Sequence, residues 1–120
     1  MLFNTLKSMF ITDPSLVVQN LNTQDVYNIY KENRKEYIFI DIREPFEWKT
    51  GVIPSIDKIS MGNLEREYSK MDKNAKYIIV CRTGSRSSHI SKQMKKLGFV
   101  NVFNYKGGMM SWKSNKLPTE

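Results

Sequence analysis

The chain contains a short apolar segment that stops abruptly at a polar loop. Tyr77-Ile78-Ile79-Val80 is followed at once by Cys81, and arginine, threonine, glycine and serine come next, before a helical pattern begins. A continuous apolar run, as opposed to an alternating one, is typical of a strand buried on both faces of a parallel sheet. The segment therefore predicts a strand, a tight loop and a helix start, with a sulfur atom at the bottom of the loop.

Strands and helices alternate along the rest of the sequence. A second continuous apolar strand runs from Tyr37 to Ile40 and ends at Asp41. Further strands are predicted at 16–18, 56–60 and 102–105, and helices at 23–33, from Pro45, at 63–69, at 87–97 and around Trp112. This alternation indicates an α/β fold with a mainly parallel sheet, in which ligands bind at the carboxyl ends of the strands.

The loop after Val80 favours an anion at its centre. The backbone N–H groups of such a loop converge on one point, the following helix adds its positive N-terminal end, and Arg82 and Arg86 add formal charge. These three effects stabilise a thiolate, so Cys81 is predicted to be a nucleophile. A lone cysteine after a buried strand is most often an inert core residue, but an apolar core has no use for the flanking arginines and hydroxyl groups.

The segment Cys81-Arg82-Thr83-Gly84-Ser85-Arg86 resembles the active-site loop of the rhodanese-like sulfurtransferases. Upstream, residues 40–54 resemble the family's Asp-x-Arg-Glu-x-x-Glu-aromatic-x-x-Gly-His-Ile segment, with Val52 in place of the histidine. Downstream, residues 97–102, Gly107-Gly108 and Trp112 resemble its Gly-Phe-x-Asn-Val, Gly-Gly and Trp landmarks. The resemblance covers about residues 20–118 and depends on several landmarks in a fixed order.

The resemblance implies a fold, an activity and a set of site residues. The fold is a three-layer α/β sandwich over residues 15–120, with a mainly parallel five-stranded sheet. The activity is that of a thiosulfate sulfurtransferase that needs no cofactor, with Cys81 as the catalytic residue and carrier of a persulfide. Asp41 and Arg43 border the loop, either as an ion pair that fixes two loops or through direct substrate contact. The substrate-binding residues are those that follow the cysteine: Arg82, Thr83, Gly84, Ser85, Arg86 and Ser87.

Several questions of function stay open in the sequence. The donor is thiosulfate or another sulfane sulfur compound, and the acceptor is cyanide, a small thiol or the cysteine of an acceptor protein. An enzyme and a persulfide carrier need the same loop. The main rival is a non-catalytic rhodanese-fold interaction module, although such modules often lack the cysteine or the intact loop that this chain has.

The length of the loop separates sulfur transfer from phosphate chemistry. Cysteine-dependent phosphatases use Cys-x5-Arg spacing, whereas Arg86 gives Cys-x4-Arg here and Ser87 stands at the position of the phosphatase arginine. The shorter loop makes a tighter cradle, which suits a sulfur atom better than a tetrahedral oxyanion. Phosphatase and arsenate reductase activities are therefore the weaker alternatives.

The charged residues and the single histidine exclude other classes of function. The chain has 19 Lys and Arg against 12 Asp and Glu, a formal net charge of +7, which would attract an anionic donor. The lysines are scattered and lack interleaved aromatic residues, so no nucleic-acid partner is expected. His89 has no ligand at metal-binding spacing, so we predict no metal site and place His89 at a surface or partly buried position. A single, free, reactive cysteine favours a reducing compartment, here the cytoplasm.

Residues 1–14 form a predicted amphipathic helical extension that ends near Asp13-Pro14. Its apolar residues fall on one side of a helix, and they are Leu2, Phe3, Leu6, Met9 and Phe10. The segment is too short and too polar to cross a bilayer, and it lacks the cleavage site of a signal peptide. We expect it to pack on its own domain or on a second copy in a homodimer, with weak membrane anchoring as the alternative.

Overall fold

Strands and helices alternate along residues 16–120, which are the residues that the computed structural model describes. The strands are β1 (Gln19–Leu21), β2 (Tyr37–Asp41), β3 (Asp57–Lys58), β4 (Lys76–Val80) and β5 (Asn101–Tyr105). The helices are α1 (Thr23–Glu32), α2 (Pro45–Trp48), α3 (Met61–Glu67), α4 (Ser85–Lys96) and α5 (Gly108–Ser114). Single turns of 3-10 helix follow α1 and α3. The predicted extension over residues 1–14, and with it the predicted dimer contact, lies outside the described residues.

The strands form one sheet of five with the order β1-β5-β4-β2-β3, and every neighbouring pair is parallel. Strand β4 is central, and Asp41 at the end of β2 pairs in register with Val80 at its end. Cys81 therefore begins its loop at the carboxyl edge in the middle of the sheet. The predicted α/β sandwich with a parallel sheet is confirmed.

Successive residues of β4 supply the cores on the two faces of the sheet. Tyr77, Ile79 and Cys81 belong to one apolar cluster, together with residues of α3 and α4. Ile78 and Val80 belong to the other, together with residues of α1 and α5. This alternation is the two-residue period of a strand, and burial on both faces explains why the sequence of β4 is continuously apolar.

The two tryptophans of the chain differ in how deeply they are buried. Trp112 of α5 is fully buried and makes edge-to-face contacts with Tyr27, Tyr30 and Tyr105, at ring-centroid distances of 5.7, 5.7 and 6.5 Å. Its indole N–H donates to the Pro118 carbonyl at 2.7 Å. Trp48 is only partly buried, because α2 is a single turn whose other residues are exposed or partly exposed.

Several element boundaries differ from their predictions, and three of the differences are informative. The strand predicted at 16–18 is wrong, since β1 covers Gln19–Leu21 and pairs only with β5 at the sheet edge. An edge strand needs backbone pairing and not an apolar sequence, so the apolar residues 16–18 were misleading. Helix α3 begins at Met61, two residues before the predicted start at residue 63. Helix α4 begins at Ser85 instead of Ser87, directly after the left-handed Gly84.

Candidate active site

Cys81 lies at the carboxyl end of β4 with its side chain turned into the loop. The residue is 1% exposed, and Sγ accepts hydrogen bonds from the backbone N–H groups of Gly84 at 3.1 Å and Ser87 at 3.4 Å. The Ser87 hydroxyl lies 3.2 Å from the same sulfur. Two converging N–H donors at a helix start favour negative charge on the sulfur atom.

The sulfur takes the place of a helix cap. Helix α4 begins after Gly84, which has no side chain to bind the first N–H groups of the helix. Those groups need an acceptor, and the usual one is a serine, threonine or aspartate oxygen. Here Sγ of Cys81 accepts from the N–H of Ser87, in the first turn of α4. A sulfur that caps a helix is held in place and lies at the positive end of the helix dipole.

Two glycines allow the loop to pack against the start of α5. Gly84 has φ +89° and Gly108 has φ +60°, both in the left-handed region. A Cβ at Gly84 would clash with the Lys106 carbonyl, and one at Gly108 would lie 2.6 Å from the Cys81 carbonyl oxygen. The first N–H groups of α5 hold this contact, as Met109 N–H donates to the Cys81 carbonyl at 2.8 Å. The Gly107-Gly108 landmark therefore contributes directly to the position of the loop.

Arg86, predicted to bind the substrate, is paired with Glu47 of α2. Its guanidinium donates to both carboxylate oxygens, Nη1 to Oε1 at 2.6 Å and Nη2 to Oε2 at 2.8 Å. These hydrogen bonds lower the pKa of Glu47 to about 2 and raise the pKa of Arg86. The pair joins the start of α4 to α2 and neutralises much of the charge that Arg86 would offer to an anion.

Glu47 has two roles, a local one within α2 and a long-range one as the partner of Arg86. It caps α2, since the Glu44 N–H donates to its Oε1 at 3.1 Å. Its ion pair with Arg86 joins residues 39 positions apart in the chain. No local pattern signals such a pair, although a charged residue in each of two family-like motifs offered a hint.

Asp41 and Arg43 form an ion pair that is buried at the end of β2. The Arg43 Nη2 donates to Asp41 Oδ2 at 2.8 Å, with side chains 2% and 0% exposed respectively. Arg43 also donates to the carbonyl oxygens of Glu47 at 3.2 Å and Gly51 at 2.8 Å. The geometry is that of a pair that fixes two loops, while direct substrate contact by these residues stays a prediction.

The remaining predicted residues of the loop differ in their exposure. Arg82, Thr83 and Ser85 are exposed, whereas Gly84 and Ser87 are buried. Arg82 lines a groove of about 620 Å³. The groove is also lined by Phe46 and Met110, two of the exposed apolar side chains, and by Lys113. A groove that holds Arg82 and Lys113 among apolar side chains, with the Glu47 carboxylate also in its lining, therefore lies beside the cysteine loop.

Asn104 is a site residue that the sequence analysis did not identify. It is 2% exposed in β5, and the Ser87 hydroxyl donates to its Oδ1 at 2.5 Å. Its Nδ2 donates to Asn20 Oδ1 at 2.9 Å and to the Gly84 carbonyl at 3.4 Å. The signal was available, because a polar residue between Phe103 and Tyr105 in an apolar strand needs a hydrogen-bonding partner.

Two expectations on metals and membranes can be compared with the described part of the chain. Within residues 16–120 there is no group of three or more metal-ligating side chains, and His89 is exposed as predicted. No helix in the same range combines the length and the apolar character needed to cross a membrane.

Comparison with known proteins agrees with this geometry. Residues 22–115 match the family model of the rhodanese-like domain. A Bacillus subtilis (strain 168) protein named "Putative sulfurtransferase YtwF" is 37% identical over 87 residues, which are 72% of this chain and 84% of that protein. A Schizosaccharomyces pombe protein named "Putative thiosulfate sulfurtransferase, mitochondrial" is 33% identical over 124 aligned positions, covering 88% of this chain and 87% of that protein.

A solved structure shows the same similarity in three dimensions. The crystal structure of a rhodanese-related protein from Thermoplasma volcanium superposes with a TM-score of 0.73 at 30% sequence identity, covering 85% of this chain and 97% of that one. The shared fold, the family match over residues 22–115 and the cysteine loop at the centre of the sheet edge lead to one assignment. The chain belongs to the rhodanese-like sulfurtransferase family.

Proposed function

We propose that the protein is a thiosulfate sulfurtransferase that carries the transferred sulfur on Cys81. The observation that carries the proposal is the position of Sγ, 3.1 Å from the Gly84 nitrogen and 3.4 Å from the Ser87 nitrogen, at the start of α4. A sulfur held by two backbone donors is suited to bear negative charge, and a thiolate is the form of cysteine that attacks. The name of the similar fission-yeast protein supports thiosulfate as the donor.

In the first half-reaction the Cys81 thiolate attacks the outer sulfur of thiosulfate. The S–S bond of thiosulfate breaks, its electron pair leaves with sulfite, and a new S–S bond joins the outer sulfur to Sγ. The product is a persulfide anion on Cys81. Backbone N–H groups of the loop stabilise this charge without having to reorganise, since Gly84 and Gly108 already fix the loop in place.

In the second half-reaction a nucleophile removes the outer sulfur of the persulfide. Cyanide gives thiocyanate, a small thiol gives a hydropersulfide, and in each case the electron pair of the S–S bond returns to Sγ of Cys81. An acceptor protein's cysteine would react in the same way. Each sulfur passes through the enzyme before the second substrate reacts, so the kinetics are ping-pong.

Arg82 and Arg86 have different roles, one in binding the donor and the other in holding the shape of the loop. Arg82 is exposed and lines the groove with Lys113, so it is the cation placed to receive an anionic donor. Arg86 is already paired with Glu47 in two hydrogen bonds. Arg86 therefore acts mainly by holding the start of α4, and with it the N–H donors of the loop, in position.

The proposal is tested by intact mass spectrometry after incubation with thiosulfate. The expected result is a gain of one sulfur atom, which disappears after addition of cyanide, with thiocyanate released in equal amount. The matched control is Cys81→Ser, which should keep the fold and show neither the mass gain nor sulfur transfer. A parent protein that gains no sulfur from thiosulfate, polysulfide or a persulfide donor would favour the non-catalytic interaction module instead.

A further inference from the structure

A line of buried polar atoms runs from the cysteine to strand β5. Sγ of Cys81 lies 3.2 Å from Oγ of Ser87, which lies 2.5 Å from Oδ1 of Asn104. The three residues are 1%, 0% and 2% exposed. Because no solvent reaches this line freely, each hydrogen in it must be shared among these few atoms.

The orientation of the Asn104 amide follows from the Gly84 carbonyl. A carbonyl oxygen can only accept, so the amide atom that faces it at 3.4 Å is the donor Nδ2. Nδ2 also donates to Asn20 Oδ1 at 2.9 Å. The acceptor Oδ1 therefore faces Ser87, and the hydroxyl hydrogen of Ser87 is directed to Asn104.

This direction decides what Ser87 can offer to the sulfur. A serine hydroxyl has one hydrogen, and once that hydrogen is given to Asn104 the oxygen presents only lone pairs to Sγ. A protonated Cys81 fits, because its S–H can donate to that oxygen. A thiolate is disfavoured by this contact, since two acceptors would then face each other. If the hydroxyl turned to the thiolate, Asn104 Oδ1 would be left buried without a donor.

We propose that Asn104 is a positioning residue that restrains ionisation of Cys81 by holding the Ser87 hydroxyl hydrogen away from the sulfur. The proposal rests on Cys81 as the nucleophile of the proposed function. The backbone donors of Gly84 and Ser87 favour the thiolate, and the Asn104–Ser87 hydrogen bond opposes it. Together with the charge of Arg86 and the buried Asp41–Arg43 pair, these two influences set the fraction of Cys81 that can attack at a given pH.

The test measures the rate of Cys81 alkylation by iodoacetamide as a function of pH, with intact mass as the readout. Cys81 is the single cysteine of the chain, so the label reports on it alone. Asn104→Ala and Asn104→Leu release the Ser87 hydroxyl, which then donates to the thiolate. The midpoint of the profile should fall by about half a pH unit or more, since a hydrogen bond to the charged form favours that form. An unchanged or higher midpoint in both variants would overturn the proposal.

Ser87→Ala removes only the hydroxyl oxygen and its hydrogen. This variant separates the proposed effect of Asn104 on Cys81 ionisation from a merely structural role. If the Ser87 hydroxyl hydrogen is held by Asn104, the substitution removes an oxygen that accepts from the Cys81 S–H group. The midpoint of the alkylation profile should then stay unchanged or fall. A rise would show that Ser87 already donates to the sulfur and would overturn the proposal. In the Ser87→Ala background, Asn104→Leu should no longer shift the midpoint. A shift of equal size in both backgrounds would assign the effect to packing and would also overturn it.

Alkylation requires no sulfur donor, so this experiment is independent of the assay for sulfur transfer. A protein that accepted no sulfur would contradict the proposed function while its alkylation profiles still decided the role of Asn104. A protein with active sulfur transfer and no dependence of the midpoint on Asn104 would keep the proposed function and lose this inference.

Discussion

Two ion pairs near the cysteine loop differ in how deeply they are buried. Asp41–Arg43 has side chains 0% and 2% exposed, whereas Arg86–Glu47 has side chains 34% and 14% exposed. Arg43 makes further hydrogen bonds to two carbonyl oxygens, while the guanidinium hydrogen bonds found for Arg86 go to the Glu47 carboxylate. The first pair is part of the interior, and the second is a contact between two surface elements.

Both pairs hold the same short helix, from different sides. Arg43 donates to the main-chain carbonyl of Glu47, and Arg86 binds the side chain of the same residue. Arg43 thus fixes where α2 lies, and α2 in turn presents the carboxylate that holds Arg86 and the start of α4. The buried pair forms a frame at the end of β2, and the exposed pair attaches the cysteine loop to that frame through α2. Stability and activity should therefore respond differently to the two pairs.

The largest effect on stability is expected from breaking the buried pair. Arg43→Met leaves the Asp41 carboxylate buried and uncompensated, which should lower the free energy of unfolding by about 3–5 kcal/mol. That is a large part of the total for a domain of this size, which is roughly 5–15 kcal/mol. Urea denaturation followed by circular dichroism measures the change.

The double variant Arg43→Met with Asp41→Leu provides the control. It removes both charges, so it should be more stable than Arg43→Met alone, because the penalty comes mainly from the unpaired charge. If the double variant were the less stable of the two, the Asp41 carboxylate would stabilise the fold without Arg43's guanidinium, through the hydrogen bond that its Oδ1 accepts from the Arg43 backbone N–H at 3.1 Å.

The exposed pair should affect activity more than stability. Arg86→Ala frees the start of α4 from α2, and the loss of loop geometry should reduce kcat/KM for thiosulfate about tenfold or more. Stability should fall by no more than about 1 kcal/mol, since the pair is partly solvated. Steady-state assays with thiosulfate and cyanide, together with urea denaturation, measure both quantities.

Glu47→Gln distinguishes the two ways in which Arg86 could act. If Arg86 positions the loop through Glu47, the glutamine variant should lose most of the same activity. If Arg86 binds the donor directly, freeing it from Glu47 should leave activity unchanged or increase it. That second result would contradict the assignment of Arg86 as a residue that mainly shapes the loop.

The sequence predicted the strands and the cysteine loop, which depend on local patterns, and missed side-chain contacts between distant segments. The continuous apolar runs identified β2 and β4, because burial on both faces imposes that pattern, and the polar loop after Val80 marked the site. The Glu47–Arg86 pair and the Ser87–Asn104 hydrogen bond join residues 39 and 17 positions apart. Such contacts depend on how the parallel strands and their crossover connections bring distant loops together. The periodicity of a single segment carries no information about that arrangement. The misplaced β1 has a similar cause, since its partner β5 lies far along the chain.

The acid dependence of stability should show the contribution of Glu47. Its pKa is lowered from 4.5 to about 2 in the folded protein, chiefly by the hydrogen bonds from Arg86. The stabilisation is therefore complete above the unfolded pKa and is lost as the pH falls towards the folded pKa. The stability difference between the parent and Glu47→Gln should shrink between about pH 5 and about pH 2. A difference that does not change over that range would contradict the assigned pKa shift.

The smallest expected effect is the response of the two pairs to salt. At about 1 M ionic strength the Debye length falls to about 3 Å from about 10 Å at 0.1 M, so exposed charges are screened and buried ones much less. Double-mutant cycles for stability should show the Arg86–Glu47 coupling falling by a few tenths of a kcal/mol in high salt. The Asp41–Arg43 coupling, measured with Arg43→Met, Asp41→Leu and their double variant, should stay constant. Equal salt dependence of the two couplings would mean that solvent reaches both pairs alike, and the division between a frame and an attached loop would then have to be abandoned.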